Sequence, residues 1–302
     1  MTARRAGRRT IEISRPDKVL FPGDGITKAD VVDHYLRVAP AMLPHLRDRP
    51  VNMQRFPEGI EAGGFYEKKV PRHFPDWVPR VRVSLGDGGS QEQVMAQDAA
   101  TLAYLANQAC LIPHVWLSRK DRLDHPDQMI FDLDPSTDDF EPVRDGALAL
   151  REILEGIGLV PFVKTSGSKG LHVHVPLDRR VPFDEVRAFA RRVAAAAAAR
   201  DPDRLTTEQR KAKRRGRVFI DILRNGYGQT AVPPFAVRAL PGAPVAVPVG
   251  WEEAARRGLG PRSFRLANVA RRLERGHDPW EGFRRRARSL RAPGRRLDAL
   301  GP

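Results

Sequence analysis

The sequence holds a single cysteine, Cys110, among 302 residues. A disulfide framework is therefore excluded, and so is any multi-cysteine zinc or iron–sulfur site. Long apolar runs are missing too: nothing approaches the roughly 18 residues of a membrane span. The blandest stretch, 193–199, is an alanine tract flanked by arginines that reads as a helix with a small, close-packing face. The opening MTARRAGRRT leads into IEISRPDKVLF rather than the apolar segment of about 7–15 residues that a secretory signal needs. No membrane partner is expected, and a soluble, cytoplasmic chain is.

Acidic residues are the minority charge. Against 52 Lys+Arg stand 37 Asp+Glu, a net charge of +15, and a basic surface of this kind attracts polyanions. A composition biased toward Arg, Ala, Gly and Pro accounts for part of that excess, so charge alone does not name the partner. With 41% hydrophobic and 29% charged residues, the chain can bury a core and is not globally disordered.

Residues 1–10 carry Arg4, Arg5, Arg8 and Arg9 without apolar periodicity and are expected to form a basic, mobile arm. A basic tail is expected over 286–302, leaving one folded domain over 11–285. Thr27 is placed to cap a helix that ends near Pro40. Further helices are expected over 98–109, 143–154, 185–200 and 261–274. Strands are expected over 51–56, 81–85, 129–133, 159–165, 171–176, 218–223 and 235–240. Helices and strands interleave without a clean βαβ repeat, which favours an α+β fold.

The segment Met129-Ile-Phe-Asp-Leu-Asp-Pro135 is the most informative. On a strand, Asp132 and Asp134 point to one face about 7 Å apart, with Phe131 and Leu133 on the other. Two such carboxylates repel unless a cation lies between them, and an oxygen-rich site of this kind suits Mg²⁺ or Mn²⁺. Asp221 interrupts the apolar strand Val218-Phe-Ile-Asp-Ile-Leu223, where burial of an unpaired charge is costly. Three carboxylates around one or two divalent ions are the equipment of in-line phosphoryl transfer. The plainer alternatives are an edge strand with solvated acids, or Asp221 paired with an arginine.

Between two expected strands, Thr165–Gly170 offers Gly167 and Gly170 for close backbone approach, serine hydroxyls, and the charge of Lys169. It is not a Walker A loop, because that spacing is absent and a strand follows. His172 and His174 share a strand face and read as neighbours of the metal site, as nucleotide contacts or as packed histidines. Gln229 and Arg238 follow Asp221 closely, and Lys211-Ala-Lys-Arg-Arg-Gly-Arg217 precedes it as a cationic cluster.

Together FDLDPS (131–136), KTSGSKGLHVHVP (164–176) and RVFIDILRNGYGQTAVPPFAVRALPGAPVAVPV (217–249) resemble the polymerase domain of bacterial ligase D, a branch of the archaeo-eukaryotic primase superfamily. DKVLFP (17–22), RPVNMQRFPEG (49–59), FYEKKVPRHFPDWV (65–78) and the His-x-Trp at His114 extend the resemblance to roughly residues 12–285. It implies a primase-polymerase fold in which an RRM-like catalytic sheet meets a second α/β unit. It implies a template-dependent nucleotidyltransferase that fills gaps and extends 3′ ends at DNA double-strand breaks in non-homologous end joining, preferring ribonucleotides over deoxynucleotides. By motif, Asp132, Asp134 and Asp221 would be catalytic and bind two Mn²⁺ or Mg²⁺ ions. His114, Ser166, Lys169, Arg214, Gln229 and Arg238 would contact the incoming NTP or dNTP. Lys18 and Lys28 would hold the 5′-phosphate of a gap or 3′-overhang substrate, and Phe65 and Tyr66 would stack on template bases. Ku and a DNA ligase are the implied partners, in the nucleoid.

Missing motifs bound this reading. Lys28-Ala-Asp30 is followed by Val31, so there is no K-x-D-G of a ligase, and no phosphoesterase cluster of acids and histidines is evident. A stand-alone polymerase, or one from a split system, is expected. The alternatives are a primase that starts RNA chains and a noncatalytic DNA-end-binding module that recruits a ligase.

Overall fold

Alternating apolar positions build two six-stranded sheets, each with its own helices, in the computed structural model, which describes residues 2–86 and 88–299. The chain divides into two compact units. Met1–Asp121, Thr230–Ala246 and Phe264–His277 form the first, and Arg122–Gln229, Val247–Ser263 and Asp278–Pro302 the second. Among the described residues no helix is long and apolar enough to cross a membrane.

In the first unit the sheet runs in the order Thr230–Ala231, Cys110–Trp116, Val51–Arg55, Ser90–Val94, Arg80–Ser84, with Phe65–Glu67 added beside Val51–Arg55. Helices Lys28–Leu46 and Ala99–Asn107 pack on each other. The Cys110 thiol is buried, and burial pushes its pKa up to about 12, so it stays an unreactive part of the core. Thr27 caps the first helix as expected, in a reciprocal capping box with Asp30. The helix does not stop at Pro40. It continues through Pro40 and Pro44 to Leu46, because Val31, Val32, Tyr35, Val38, Ala39, Met42 and Leu46 keep one apolar face buried across both prolines.

Residues 2–13 are a β-hairpin, not a mobile arm: Thr2–Ala6 pairs antiparallel with Arg9–Ile13. Ala6, Ile11 and Ile13 are buried, but Arg4 and Arg9 stand on the same face, opposite Ile11 and Ala6, so charge interrupts the period-two pattern. The expected strand at 235–240 is irregular backbone with an isolated Val237–Val245 bridge. Phe235 turns the chain with φ 66°, which breaks a strand. Only Val269–Glu274 of the helix expected over 261–274 is helical.

The second unit's sheet is ordered Leu205–Thr206, Val218–Asp221, Gln128–Asp134, Leu171–Pro176, Phe162–Thr165, Pro248–Val249. All neighbours are antiparallel except the first pair. Helices Glu141–Gly156 and Phe183–Arg200 pack on each other and on this sheet. Gly146 of the first lies against Leu133 and Leu205, where a Cβ would come within 2.7 Å of Leu205. That helix therefore covers the face opposite Asp132 and Asp134. The basic tail carries an exposed helix, Arg291–Ala299, whose Pro293 and Leu297 are buried. The α+β class expected from the sequence is the one observed.

Candidate active site

Strand register in the second unit assembles one row of side chains across four strands. Asp132 pairs with His172 on one side and Asp221 on the other, while His172 pairs with Lys164. Directly paired residues share a face, so Lys164, His172, Asp132 and Asp221 form a continuous ladder, with Asp134 on the same face two residues on. Lys164, His172 and Asp221 are buried. His172 Nε2 lies 3.3 Å from Asp132 Oδ1, so the ring N–H can fix that carboxylate's orientation.

Crowding of like charge perturbs these acids. Burial first, then Asp134 and Asp221, push the Asp132 carboxyl up to about 7, against the pull of Arg224 and Lys164. Burial and then Asp221 raise Asp134, opposed by Arg214, Arg224 and Lys169. The neighbouring cations thus only partly offset the acidic row. Among the described residues, no three His, Cys, Asp or Glu side chains close around one point. The donor set nonetheless fits a hard divalent cation: it consists of carboxylates held near one another on one face at a cost that a bound cation removes. The expected second-face placement of Phe131 and Leu133, both fully buried, agrees.

The expected phosphate loop is built against the aspartate strand. Ser166 N–H donates to Gly170 O at 3.0 Å, and Ser166 Oγ accepts from the N–H groups of Ser168 and Gly170 at 3.1 and 3.0 Å. Gly167 takes φ 66°. A Cβ on Gly170 would lie 1.8 Å from the Leu133 carbonyl oxygen, so glycine is what lets the loop reach the strand between the two aspartates. Lys169 is exposed at the loop tip. Arg214 is held by the carbonyls of Glu208 and Gln209 at 3.1 and 2.9 Å, and its guanidinium lies 4.2 Å above the Phe219 ring. Phe219 is the cross-strand partner of Asp134.

After Asp221 the chain is clamped back onto the aspartate strand. Asn225, fully buried, accepts from Ile130 N–H at 2.8 Å and donates to Ile130 O at 2.7 Å. This side-chain amide continues the ladder where the Asp221 strand ends. Asp221 Oδ1 accepts from Leu223 N–H at 2.7 Å, and Gln229 is exposed at the end of the turn.

The remaining expected residues lie in the first unit. His114 shares a 3.0 Å hydrogen bond with Gln54 and sits 5.3 Å from the ring of Tyr66. Phe65 and Tyr66 are 48% and 56% exposed, an unusual state for adjacent aromatics. Arg238 N–H donates to Pro244 O at 2.7 Å. Lys18 and Lys28 are brought together, since Lys28 N–H donates to Lys18 O at 2.9 Å. Lys28 Nζ donates to Ser14 Oγ at 2.9 Å, and Lys18 Nζ pairs with Glu58 at 2.6 Å. Burial, then Arg15 and Lys18, lower the Lys28 pKa.

With this geometry in place, residues 27–280 match the family described as LigD, primase-polymerase domain. The chain belongs to that family. The polymerase domain of Mycobacterium tuberculosis ligase D, solved in complex with DNA, superposes with a TM-score of 0.85 at 32% identity, covering 92% of this chain and 99% of that one. The multifunctional non-homologous end joining DNA repair protein LigD of M. tuberculosis is 35% identical over 258 residues, 82% of this chain and 34% of that protein. The bifunctional non-homologous end joining protein LigD of Bacillus subtilis is 31% identical over 278 residues, 91% and 44% respectively. The chain therefore spans between a third and a half of the length of these relatives.

Within this LigD primase-polymerase chain, three neighbours of the carboxylates, Lys164, Arg224 and Asn225, have no signature in the local sequence pattern. Lys164 stands at the edge of one motif, and Arg224 and Asn225 lie inside another. Their roles depend on which strands pair, and in what register.

Proposed function

We propose that this chain is a metal-dependent, template-directed nucleotidyltransferase that extends 3′ ends and fills gaps at DNA breaks in non-homologous end joining. The observation that carries the reading is the row Lys164, His172, Asp132, Asp221, with Asp134 beside it and Lys169, Arg214 and Arg224 close enough to act on its charge. Asp132 and Asp134 would hold both ions, Mg²⁺ or Mn²⁺, and Asp221 the one beside the primer hydroxyl. When bound, the ions supply an acidified 3′-hydroxyl and neutralisation of the triphosphate.

The protein's own groups do the positioning. His172 orients the Asp132 carboxylate, and Asn225 holds the turn after Asp221 onto the same strand. Ser166 draws the loop N–H groups of Ser168 and Gly170 inward, which presents Lys169 at the loop tip. Lys169 and Arg214 meet phosphate oxygens and stabilise charge that develops on the leaving pyrophosphate. Gln229 contributes from the turn after Asp221. The assignment of His114 and Arg238 to the nucleotide rests on their motif match.

On the DNA side, Phe65 and Tyr66 offer exposed rings for template bases. The paired backbone of Lys18 and Lys28 gathers two ammonium groups for a 5′-phosphate. Ribonucleotides are the preferred substrate, with Ku and a DNA ligase as partners in the cytoplasm, associated with the nucleoid. The deciding experiment measures Mn²⁺-dependent incorporation of NTPs and dNTPs by the purified chain on gapped DNA carrying a 5′-phosphate. Incorporation that needs the template and is lost in Asp134→Ala is expected; normal extension by Asp134→Ala would overturn the reading.

A further inference from the structure

The sheet face that carries the catalytic row continues past it into a second feature. His174 lies two residues beyond His172 on the same strand face, and Trp280 packs on it with centroids 4.8 Å apart. Trp280 is stacked on Phe283 at 5.0 Å and 10°, and Phe283 meets Phe162 at 5.0 Å. The Trp280 indole N–H donates to Val163 O at 2.9 Å. Both aromatics are buried, so the segment that follows is held rigidly to the sheet. It is further tied by Arg288 N–H to Pro176 O and by Asp178 N–H to Arg288 O.

That anchored segment lines an open cavity of about 430 Å³ with Glu281, Gly282, Arg285, Arg286 and Arg288. The three arginines are exposed. Arg285 meets Glu281 at 3.8 Å between side chains 78% and 83% exposed, an interaction too solvated to neutralise the cluster. Gly282, at φ 73°, leaves room for the Arg285 guanidinium, which would lie 3.1 Å from a Cβ there. The lining has no exposed apolar side chain, so it lacks the buried anchor that a protein partner normally needs. Clustered arginines on an anchored backbone, without apolar surface, are the chemistry of phosphate-backbone binding.

We propose that Arg285, Arg286 and Arg288 form a binding site for the phosphodiester backbone of the DNA duplex. Arg288 is tied at Pro176, the partner of Gln128, four residues from Asp132 along the strand. At about 3.3 Å per residue that is roughly 13 Å, on the order of four base pairs of helical rise. The site therefore engages duplex beyond the first few base pairs from the reacting end. This rests on the polymerase reading only for the position of that end.

The test compares the full chain with the combined variant Arg285→Gln, Arg286→Gln, Arg288→Gln. Binding to 3′-overhang DNAs with stems of about 4 and about 14 base pairs is followed by fluorescence anisotropy across a salt series. The native chain is expected to bind the long stem about tenfold tighter, and the variant to lose that gain. Its log–log salt slope on the long stem should fall by about 2 to 3, close to 0.9 per phosphate released. Glu281→Gln should bind the long stem more tightly, a change that misfolding does not produce. Unchanged long-stem affinity and slope in the triple variant would overturn the proposal. So would equal losses on both stems, or a loss confined to ATP binding with DNA affinity intact. Binding is read without nucleotide or metal, so failure of incorporation by the native chain would sink the polymerase reading and leave this result standing.

Discussion

Asp132 and Asp221 are direct partners across antiparallel strands, with both carboxylates on the sheet face that also carries Asp134. Like charges directly opposite one another destabilise a strand pair by up to about 1 kcal/mol, and burial amplifies the effect here. Asp134→Asn should therefore abolish nucleotide addition while raising the melting temperature in EDTA by a few degrees. Added Mn²⁺ should stabilise the native chain and leave the variant nearly unmoved. Thermal melts with and without Mn²⁺, read beside incorporation assays, check both halves; a variant less stable than the native chain in EDTA would contradict the account of the carboxylate row.

Gly170 gives a sharper steric test. Its missing Cβ would stand 1.8 Å from the Leu133 carbonyl, and that contact is backbone, which cannot swing aside. Gly170→Ala should cost about 2 kcal/mol or more by displacing either the loop or the aspartate strand. Because the loop presents Lys169, the KM for nucleotide should rise about tenfold or more. Gly156→Ala, where the added methyl meets open space, serves as the control and should be neutral or slightly stabilising. Equal melting temperatures for the two variants would remove the argument.

The legibility of the sequence follows from what each pattern encodes. Period-two alternation exposed the face of Asp132 and Asp134 without any knowledge of neighbours, and glycine and lysine in 165–170 announced an anion loop. Register is different, since every strand has the same period. Nothing local shows that Asp132 stands between His172 and Asp221, or that Lys164 ends the row. The hairpin at 2–13 is hidden because Arg4 and Arg9 interrupt its inner face, where only Ala6, Ile11 and Ile13 are buried. Pro40 read as a helix stop because its local cost is visible, whereas the buried stripe that outweighs it emerges only in the packed unit. The clamp of Asn225 on Ile130 spans 95 positions, out of reach of any local pattern.

His34 contributes to the loss of stability at acid pH. It is buried, its Nε2–H donates to Phe235 O at 3.0 Å, and burial pushes its pKa down to about 4. The folded-state value lies below the unfolded one, so the unfolded chain binds the extra proton. The contribution is present above about 6.5 and is lost as pH falls toward 4, by an amount on the order of 3 kcal/mol. Asp132, raised to about 7, contributes with the opposite sign over the same range, so the His34 slope is read as the difference between native and variant denaturant melts at each pH from 7 to 4. The variant is His34→Gln, which can still donate to Phe235 O and should lack this slope; a difference that does not change with pH would assign the loss to other groups.

Lys18 and Lys28 differ in how they are held, and the difference separates two effects on 5′-phosphate recognition. Lys28 is buried with its ammonium on Ser14 Oγ, and burial beside Arg15 and Lys18 already disfavours its charge. A phosphate dianion restores that balance, so Lys28→Glu should weaken binding to 5′-phosphorylated gaps about tenfold or more and leave 5′-hydroxyl gaps nearly unaffected. Lys18 is occupied by Glu58 at 2.6 Å, a carboxylate that an incoming phosphate must displace. Glu58→Gln should therefore tighten binding of the phosphorylated gap severalfold, again without effect on the hydroxyl form. Anisotropy titrations on the matched pair of substrates read both ratios, and equal losses with 5′-phosphate and 5′-hydroxyl DNA in Lys28→Glu would remove the assignment of these lysines.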